Sequence, residues 1–297
     1  METKGFRQML KERQEKVKSL VCVGLDPLPE KMPRSIAPEH ARNNCWNIET
    51  WMCQIVNATA EYVSMFKLQR AHYEAIIGGI QALQGIMAYI HKHYPDISVF
   101  LDCKRGDIGR TQERYRIAHF GIDNADGMNF SPYMGKDCME YLVDKDNFPG
   151  RAIVGICYTS NSSAREIQDV KLADGRYYWE MVAEKTLQWA EDLGIVENAG
   201  LVMAAAYENP KGSRKVFSWH LSRVREIVGN KMWLLIPGIG TQGGFVEETV
   251  RAAYIDPGSI AINSSSGITF ASQDKDFAEA AAGKAKELRD QINQQII

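Results

Sequence analysis

The stretch at residues 100–111 reads FLDCKRGDIGRT and begins as an apolar β-strand. Four charged residues follow at once, namely Asp102, Lys104, Arg105 and Asp107. Successive side chains of a strand alternate between its two faces, so Asp102 and Lys104 share one face. A buried strand that ends in charge is typical of an active-site edge, which in parallel barrels lies at the carboxyl ends of the strands.

The sequence around this stretch repeats the same plan of apolar strands followed by amphipathic helices. That alternation is typical of a parallel sheet covered by helices on its faces. The predicted strands cover residues 20–26, 64–69, 97–104, 125–130, 152–158, 200–206, 233–237 and 259–263. Eight βα units in 297 residues predict an α/β fold, a closed (β/α)8 TIM barrel with an N-terminal helix, as a single domain over 1–297. A doubly wound open sheet is the alternative, although no GxGxxG motif follows the first strand.

Composition excludes several classes of protein. The net charge is −2, with Asp+Glu 37 against Lys+Arg 35, so no basic surface for nucleic acid is expected. No apolar run reaches the roughly 18–20 residues of a membrane span, and the charged N-terminus does not resemble a secretory signal. The six cysteines form no CxxC pair and the six histidines show no ligand spacing. We therefore expect a cytoplasmic protein without a metal site.

The ends of the first two predicted strands also carry charge. Asp26 ends the first strand and Lys67 ends the second. In a barrel both would meet Asp102 and Lys104 at one rim. A single Asp–Lys pair is usually a structural ion pair, but four such groups on consecutive strands indicate a functional site. A lysine between two carboxylates stays protonated, which makes it a proton donor and a poor nucleophile.

The late loops suggest a second part of this site. Gly-rich segments follow the last two strands, at 236–244 (IPGIGTQGG) and 263–272 (NSSSGITFAS). Loops at these places in a barrel often bind phosphate through backbone N–H groups. Ser160, in the segment CYTSN at 157–161, follows the fifth strand and could bind the polar edge of a ligand.

These motifs give the sequence a resemblance to a known family. LDCKRGDIGRT, together with FKLQRAHYEA, FSPYMGKD, TSN and PGIGTQGG in that order, resembles the orotidine 5′-phosphate decarboxylase family, in the subgroup with the DxKRGDI wording. The resemblance implies a cofactor-independent lyase that converts orotidine 5′-monophosphate to uridine 5′-monophosphate in pyrimidine synthesis. It also implies a homodimer with shared active sites.

The resemblance further implies roles for the charged residues. Lys67, Asp102, Lys104 and Asp107 would form an alternating catalytic network. Lys104 would protonate C6 of the pyrimidine, and Asp102 would lie against the substrate carboxylate. Asp107 and Thr111 would reach into the site of the neighbouring subunit.

Other residues are implied in substrate binding. Asp26, with Lys67, would bind the ribose hydroxyls, and Ser160 would bind the pyrimidine edge. Gln242 would bridge the base and the phosphate. The full implied binding set is Asp26, Thr111, Ser160, Pro237, Ile239, Gln242, Gly243 and Ser266.

One position departs from the family pattern. The last motif of the family usually reads Ser-Arg-Gly, and its arginine holds the 5′-phosphate, whereas this chain has Ser266 there. A hydroxyl offers one hydrogen bond but no charge, so we expect weakened nucleotide binding. Two alternatives stay open: a related (β/α)8-barrel sugar-phosphate lyase or synthase, and a non-catalytic nucleotide-binding homologue.

Overall fold

A computed structural model describes residues 4–209, 213, 215–239 and 245–296. Eight of the strands in these residues form a closed parallel barrel in the order β1-β10-β9-β6-β5-β4-β3-β2. The strands are β1 Val21–Gly24, β2 Met65–Gln69, β3 Ser98–Arg105, β4 Gly127–Phe130, β5 Ala152–Tyr158, β6 Ala199–Met203, β7 Tyr207–Glu208, β8 Val216–Phe217, β9 Trp233–Pro237 and β10 Ile260–Ser264. The predicted (β/α)8 barrel is therefore confirmed, and the open sheet is excluded.

Helices surround the barrel. Those in the described residues are α1 Phe6–Val17, α2 Cys45–Thr59, α3 Arg70–Glu74, α4 Gly79–His93, α5 Gly109–Arg116, α6 Asp137–Glu140, α7 Tyr178–Asp192, α8 Trp219–Val228, α9 Val246–Ala253, α10 Ser266–Thr269 and α11 Phe277–Asn293. A π-helical segment, Ile117–Ile122, continues α5. Short 3-10 turns cover Pro29–Lys31, Glu39–Ala41, Ala60–Tyr62, Pro132–Met134 and Ser162–Glu166. No helix in the described residues has both the length and the hydrophobicity of a transmembrane span.

The helix α1 closes the amino-terminal end of the barrel. Its Phe6 ring stacks on Trp233 with 5.1 Å between centroids, and Phe100 meets the same indole edge-on at 6.0 Å. Leu10 is also fully buried in this cluster. Aromatic pairs of this geometry add packing energy to the area that they bury. The barrel interior is therefore filled at this end, and a ligand must enter from the opposite, carboxyl end.

The structure differs from the prediction beyond the sixth barrel strand. That strand ends at Met203, not at residue 206 as predicted. A two-stranded antiparallel hairpin, β7 with β8, follows it and pairs Tyr207 with Phe217. Strands of two residues each are too short to produce a periodic pattern, which is why no strand is predicted between residues 206 and 233.

Candidate active site

A cavity of about 450 Å³ opens at the carboxyl ends of the barrel strands. Its lining residues are Asp26, Leu28, Lys67, Gln69, His72, Asp102, Lys104, Asn129, Ile156, Thr159, Ser160, Asn161, Val202, Leu235, Pro237, Asn263, Ser265, Ser266 and Phe270. The cavity is polar over β1, β2 and β3 and apolar where Val202 and Leu235 face it. It therefore suits a ligand with both a flat apolar surface and several polar groups.

Lys67 lies at the centre of the charged part of the cavity. Its Nζ lies 3.3 Å from both carboxylate oxygens of Asp26 and 3.5 Å from Oδ2 of Asp102. Only 4% of Lys67 is exposed. Burial lowers the pKa of Lys67, but the two carboxylates outweigh this effect and hold the pKa above its ordinary value. Lys67 is therefore a fixed ammonium.

Asp102 receives four donors. Its Oδ1 accepts from Lys104 Nζ at 2.6 Å and from Asn129 Nδ2 at 2.7 Å. Its Oδ2 accepts from Gln69 Nε2 at 3.2 Å, and Lys67 approaches the same oxygen. Burial raises the pKa of Asp102, yet the two ammonium groups and the Asn129 amide lower it below the ordinary value. Asp102 therefore carries its negative charge at neutral pH.

A bulge in β3 places the Lys104 side chain. The pairing of β3 with β4 shifts between Leu101 and Arg105. Lys104 has φ +48°, a left-handed conformation that costs a non-glycine residue roughly 1 kcal/mol or more. Asn129 Oδ1 accepts from the backbone N–H groups of Cys103 at 2.9 Å and Lys104 at 2.7 Å. Asn129 therefore holds the bulge and Asp102 at the same time.

The arrangement is one of alternating charge at the barrel mouth: Asp26, Lys67, Asp102 and Lys104. The Lys104 side chain is 50% exposed, whereas that of Lys67 is 5% exposed. Among the described lining residues, the lysine and arginine side chains are these two lysines. Lys67 is therefore suited to fix the two acids, and Lys104 has the freedom to meet a reacting atom.

The chain matches a family model along most of its length. Residues 19–281 match the model described as orotidine 5′-phosphate decarboxylase / HUMPS family. The chain belongs to this family. The predicted family is therefore confirmed.

Curated relatives cover nearly the whole chain. Orotidine 5′-phosphate decarboxylase of Ralstonia nicotianae is 41% identical over 291 residues, which cover 97% of this chain and 98% of the relative. The enzyme of that name from Cupriavidus necator is 39% identical over 290 residues, which cover 97% of each chain.

Solved structures agree with the family. Leishmania donovani OMP decarboxylase superposes with a TM-score of 0.73 at 28% identity, over 96% of this chain and 98% of that chain. Leishmania donovani UMP synthase superposes with a TM-score of 0.77 at 30% identity. The match covers 98% of this chain but 57% of the UMP synthase chain.

Three further predicted residues lie at the same cavity as the charged residues. Ser160 lines the cavity after β5, and Pro237 lines it as the last residue of β9. Ser266 also lines the cavity and begins α10. Ile239 is buried at 5% exposure and is not among the lining residues. Predicted Gln242 and Gly243 lie outside the described residues.

Two predicted residues lie away from this cavity. Asp107 Oδ1 accepts from the backbone N–H of Ile108 at 2.8 Å, and the Asp107 N–H donates to Gln112 Oε1 at 3.3 Å. Thr111 is exposed on α5. Neither Asp107 nor Thr111 lines the cavity of its own chain.

Several lining residues were not predicted from the sequence, and Asn129, Gln69 and His72 are three of the polar ones. Asn129 lies near the end of a predicted strand, as Asp102 does, and this position was a usable signal. Gln69 ends the second strand, and its N–H donates to Asp26 Oδ1 at 2.9 Å. His72 Nδ1 lies 3.1 Å from the carbonyl oxygen of Pro27, so that nitrogen is the donor. No sequence pattern marked His72.

The described residues contain no group of three or more His, Cys, Asp or Glu side chains that could hold a metal ion.

Proposed function

We propose that this chain decarboxylates orotidine 5′-monophosphate to uridine 5′-monophosphate without a cofactor. The observation that carries the proposal is the Lys104 ammonium, 2.6 Å from an ionised Asp102 at the barrel mouth. Lys67 and Asp26 complete the charged row behind this pair. Membership of the orotidine 5′-phosphate decarboxylase family supports this substrate.

The reaction would use the negative charge of Asp102 and the positive charge of Lys104. The substrate carboxylate would lie against Asp102, and its C–C bond to C6 would break with the electron pair left on C6. The Lys104 ammonium would stabilise this carbanion as it forms. Lys104 Nζ would then give its proton to C6, carbon dioxide would leave, and the amine would regain a proton from water.

The remaining contacts follow from the cavity lining. Asp26, Lys67 and Ser160 all line the cavity. Asp26 and Lys67 would bind ribose hydroxyls, and Ser160 would bind the pyrimidine edge. We place the phosphate near Ser266, with the predicted Gln242 as a bridge to the base. Phosphate binding far from C6 can still lower the barrier, because remote binding energy orients the reacting group. Ser266 adds no positive charge there, so this energy is expected to be small.

We also propose a cytoplasmic homodimer in which Asp107 and Thr111 complete the site of the partner subunit. Both lie outside the cavity of their own chain. Large apolar side chains nearby are exposed, including Ile108 at 47%, Tyr133 at 81% and Met134 at 52%. Exposed apolar side chains near a functional loop are typical of a protein interface.

The test follows the loss of orotidine 5′-monophosphate absorbance with purified enzyme, with and without a chelator. We expect turnover that the chelator leaves unchanged. No turnover at high substrate and enzyme concentrations would contradict the proposal. Turnover that the chelator abolishes would favour a metal-dependent relative on the same barrel.

A second arm tests position 266. Ser266→Arg is expected to raise kcat/KM at least about tenfold, because a charge-assisted hydrogen bond contributes roughly 1.5–3 kcal/mol. Gln273→Arg is the matched control, since it adds the same charge on an exposed segment after α10. Equal kcat/KM in the native chain and Ser266→Arg would show that position 266 does not hold the phosphate.

A further inference from the structure

A buried histidine lies behind the charged end of β3. His119 belongs to the π-helical segment Ile117–Ile122 and is 1% exposed. It is not among the residues that line the cavity. Its two ring nitrogens connect Arg105, the residue after Lys104, to Asp123. The proposed reaction so far gives His119 no role.

The contacts fix the protonation state of the His119 ring. Arg105 Nε lies 3.0 Å from His119 Nε2, and a guanidinium can only donate, so Nε2 carries no proton. His119 Nδ1 lies 2.9 Å from Asp123 Oδ2 and 3.3 Å from Arg70 Nη1. Since Nε2 carries no proton and the carboxylate is the nearer group, Nδ1 donates to Asp123. Burial is the largest of the effects that lower the pKa of His119, and Arg70 and Arg105 add to it. The imidazole is therefore neutral, with its proton on Nδ1.

The groups that face His119 come from several elements. Arg70 of α3 pairs with Asp123, and Gln84 of α4 donates to Asp123 Oδ1 at 2.9 Å. Glu74 Oε1 accepts from Arg70 at 2.9 Å and from Arg105 at 3.2 Å. A protonated His119 would face two arginines and lose its acceptor for Arg105. Tyr115 also stacks on the ring, with 6.0 Å between centroids.

Arg105 connects this buried cluster to Lys104. The carbonyl oxygen of Arg105 accepts from the Ser131 N–H at 2.6 Å, and its guanidinium lies 4.5 Å from the centre of the Tyr115 ring. Lys104, the residue before it, holds its left-handed φ of +48°. Asn129 fixes the amino side of Lys104, and the Arg105–His119 contact fixes its carboxyl side. The bulge is therefore held at both ends.

We propose that neutral His119 is a positioning residue for the decarboxylation, since its Nε2 holds Arg105 and thereby keeps the Lys104 ammonium against Asp102. This proposal rests on the proposed function. His119 does not line the cavity, so it would act through Arg105 and the β3 bulge. Loss of the acceptor at Nε2 should lower kcat and leave KM nearly unchanged, because the binding residues stay in place.

Two substitutions test the roles of His119 Nε2 and Nδ1 one at a time. His119→Gln places an acceptor near the position of Nε2 and can still receive the hydrogen bond from Arg105. His119→Asn places a donor near Nδ1, which keeps the bond to Asp123 but cannot reach Arg105. We expect kcat at least about tenfold lower in His119→Asn, with KM within about twofold, and kcat within about threefold of native in His119→Gln.

The pH dependence of kcat is a second test, because a purely structural role of His119 would not change it. The kcat of the native chain should fall as acid protonates His119, below the ordinary histidine pKa of about 6.5. His119→Gln cannot take up this proton and should keep its kcat over the same range. If kcat falls at acidic pH by the same factor and at the same pH in the native chain and in His119→Gln, the proposal is overturned.

The Lys104 backbone amide provides a readout that does not depend on turnover. Its NMR chemical shift should change in His119→Asn and stay near the native value in His119→Gln. An unchanged shift in His119→Asn would overturn the positioning role, as would equal kcat losses in both variants that follow their melting temperatures. A native chain that shows no turnover, yet gives these amide shifts, would contradict the proposed function and not the link from His119 to Lys104.

Discussion

The Lys104 ammonium lies 2.6 Å from Oδ1 of Asp102, a residue only two positions earlier in the same strand. A regular strand would hold two such side chains side by side, but the bulge at Lys104 turns them toward each other. Both members of the ion pair therefore come from one short segment of β3. A single substitution at Lys104 can remove the ammonium without disturbing the core.

Lys104→Ala is expected to lower kcat at least about 10²-fold, because it removes the proton donor at C6. The melting temperature should change little, since the Lys104 side chain is half exposed. Steady-state kinetics and thermal unfolding monitor the two effects. Lys92→Ala, at an exposed site on α4, is the control and should match the native chain. Near-native turnover in Lys104→Ala would show that Lys104 is not the proton donor to C6.

Lys67→Met should destabilise the fold, because it leaves Asp26 and Asp102 without their buried cation. Removing one partner of a buried ion pair costs about 3–5 kcal/mol. Urea unfolding measures this change in the free energy of unfolding. Lys16→Met is the matched control, since Lys16 pairs with Asp96 at 2.7 Å on the surface and should cost less than about 1 kcal/mol. Equal losses in the two variants would show that the Lys67 pairs contribute no more than a surface pair.

Mixing two inactive variants tests the shared sites. Lys104→Ala and Asp107→Asn chains, each nearly inactive, should regain activity when their subunits exchange. One site of each mixed dimer then carries neither substitution, so random exchange should restore about a quarter of the native sites. Mass spectrometry of differently labelled chains monitors the exchange. Complete exchange without recovered activity would place Asp107 within its own subunit's site.

His220 is expected to make stability depend on pH. It is fully buried, Nε2 donates to the Ala204 carbonyl oxygen at 2.8 Å, and burial lowers its pKa to about 4. The unfolded chain, with a histidine pKa of about 6.5, binds this proton first as the pH falls. Stability is therefore lost between about pH 6.5 and 4, by up to roughly 3 kcal/mol from this group.

The comparison is between the native chain and His220→Gln, which keeps a donor for Ala204 but cannot titrate. Urea unfolding at pH 7 and pH 5 should show a larger loss in the native chain. Other acid-sensitive groups are common to both proteins and cancel in the difference. The same loss in both proteins would mean that His220 is not the group that titrates.

Much of the fold could be predicted because its signals are local. Each barrel strand is a short apolar run, and the charged strand ends stand out against it. Asp26, Lys67, Asp102 and Lys104 were therefore found from their positions alone, and all four line the cavity.

The rest of the site depends on contacts between distant parts of the chain. Alternation along β3 predicted that Asp102 and Lys104 share a face. The bulge that turns their side chains toward each other needs Asn129 from β4 and was not predicted. His119 contacts Arg105 across 14 residues of chain, through the packing of the π-helical segment against the end of β3. Such contacts leave no periodic signal in the sequence.

Because the backbone at Lys104 is left-handed, thermal stability and catalysis favour different residues at position 104. Glycine adopts this conformation without strain, whereas every other residue is disfavoured there. A screen of position-104 variants for heat resistance alone is therefore expected to recover Lys104→Gly, and the survivors should be inactive. Lysine as the most heat-resistant residue would show that the ion pair with Asp102 outweighs the strain. A selection for thermal stability in this chain must therefore be combined with a selection for turnover. Without it, variants that have lost the Lys104 ammonium are expected to be enriched.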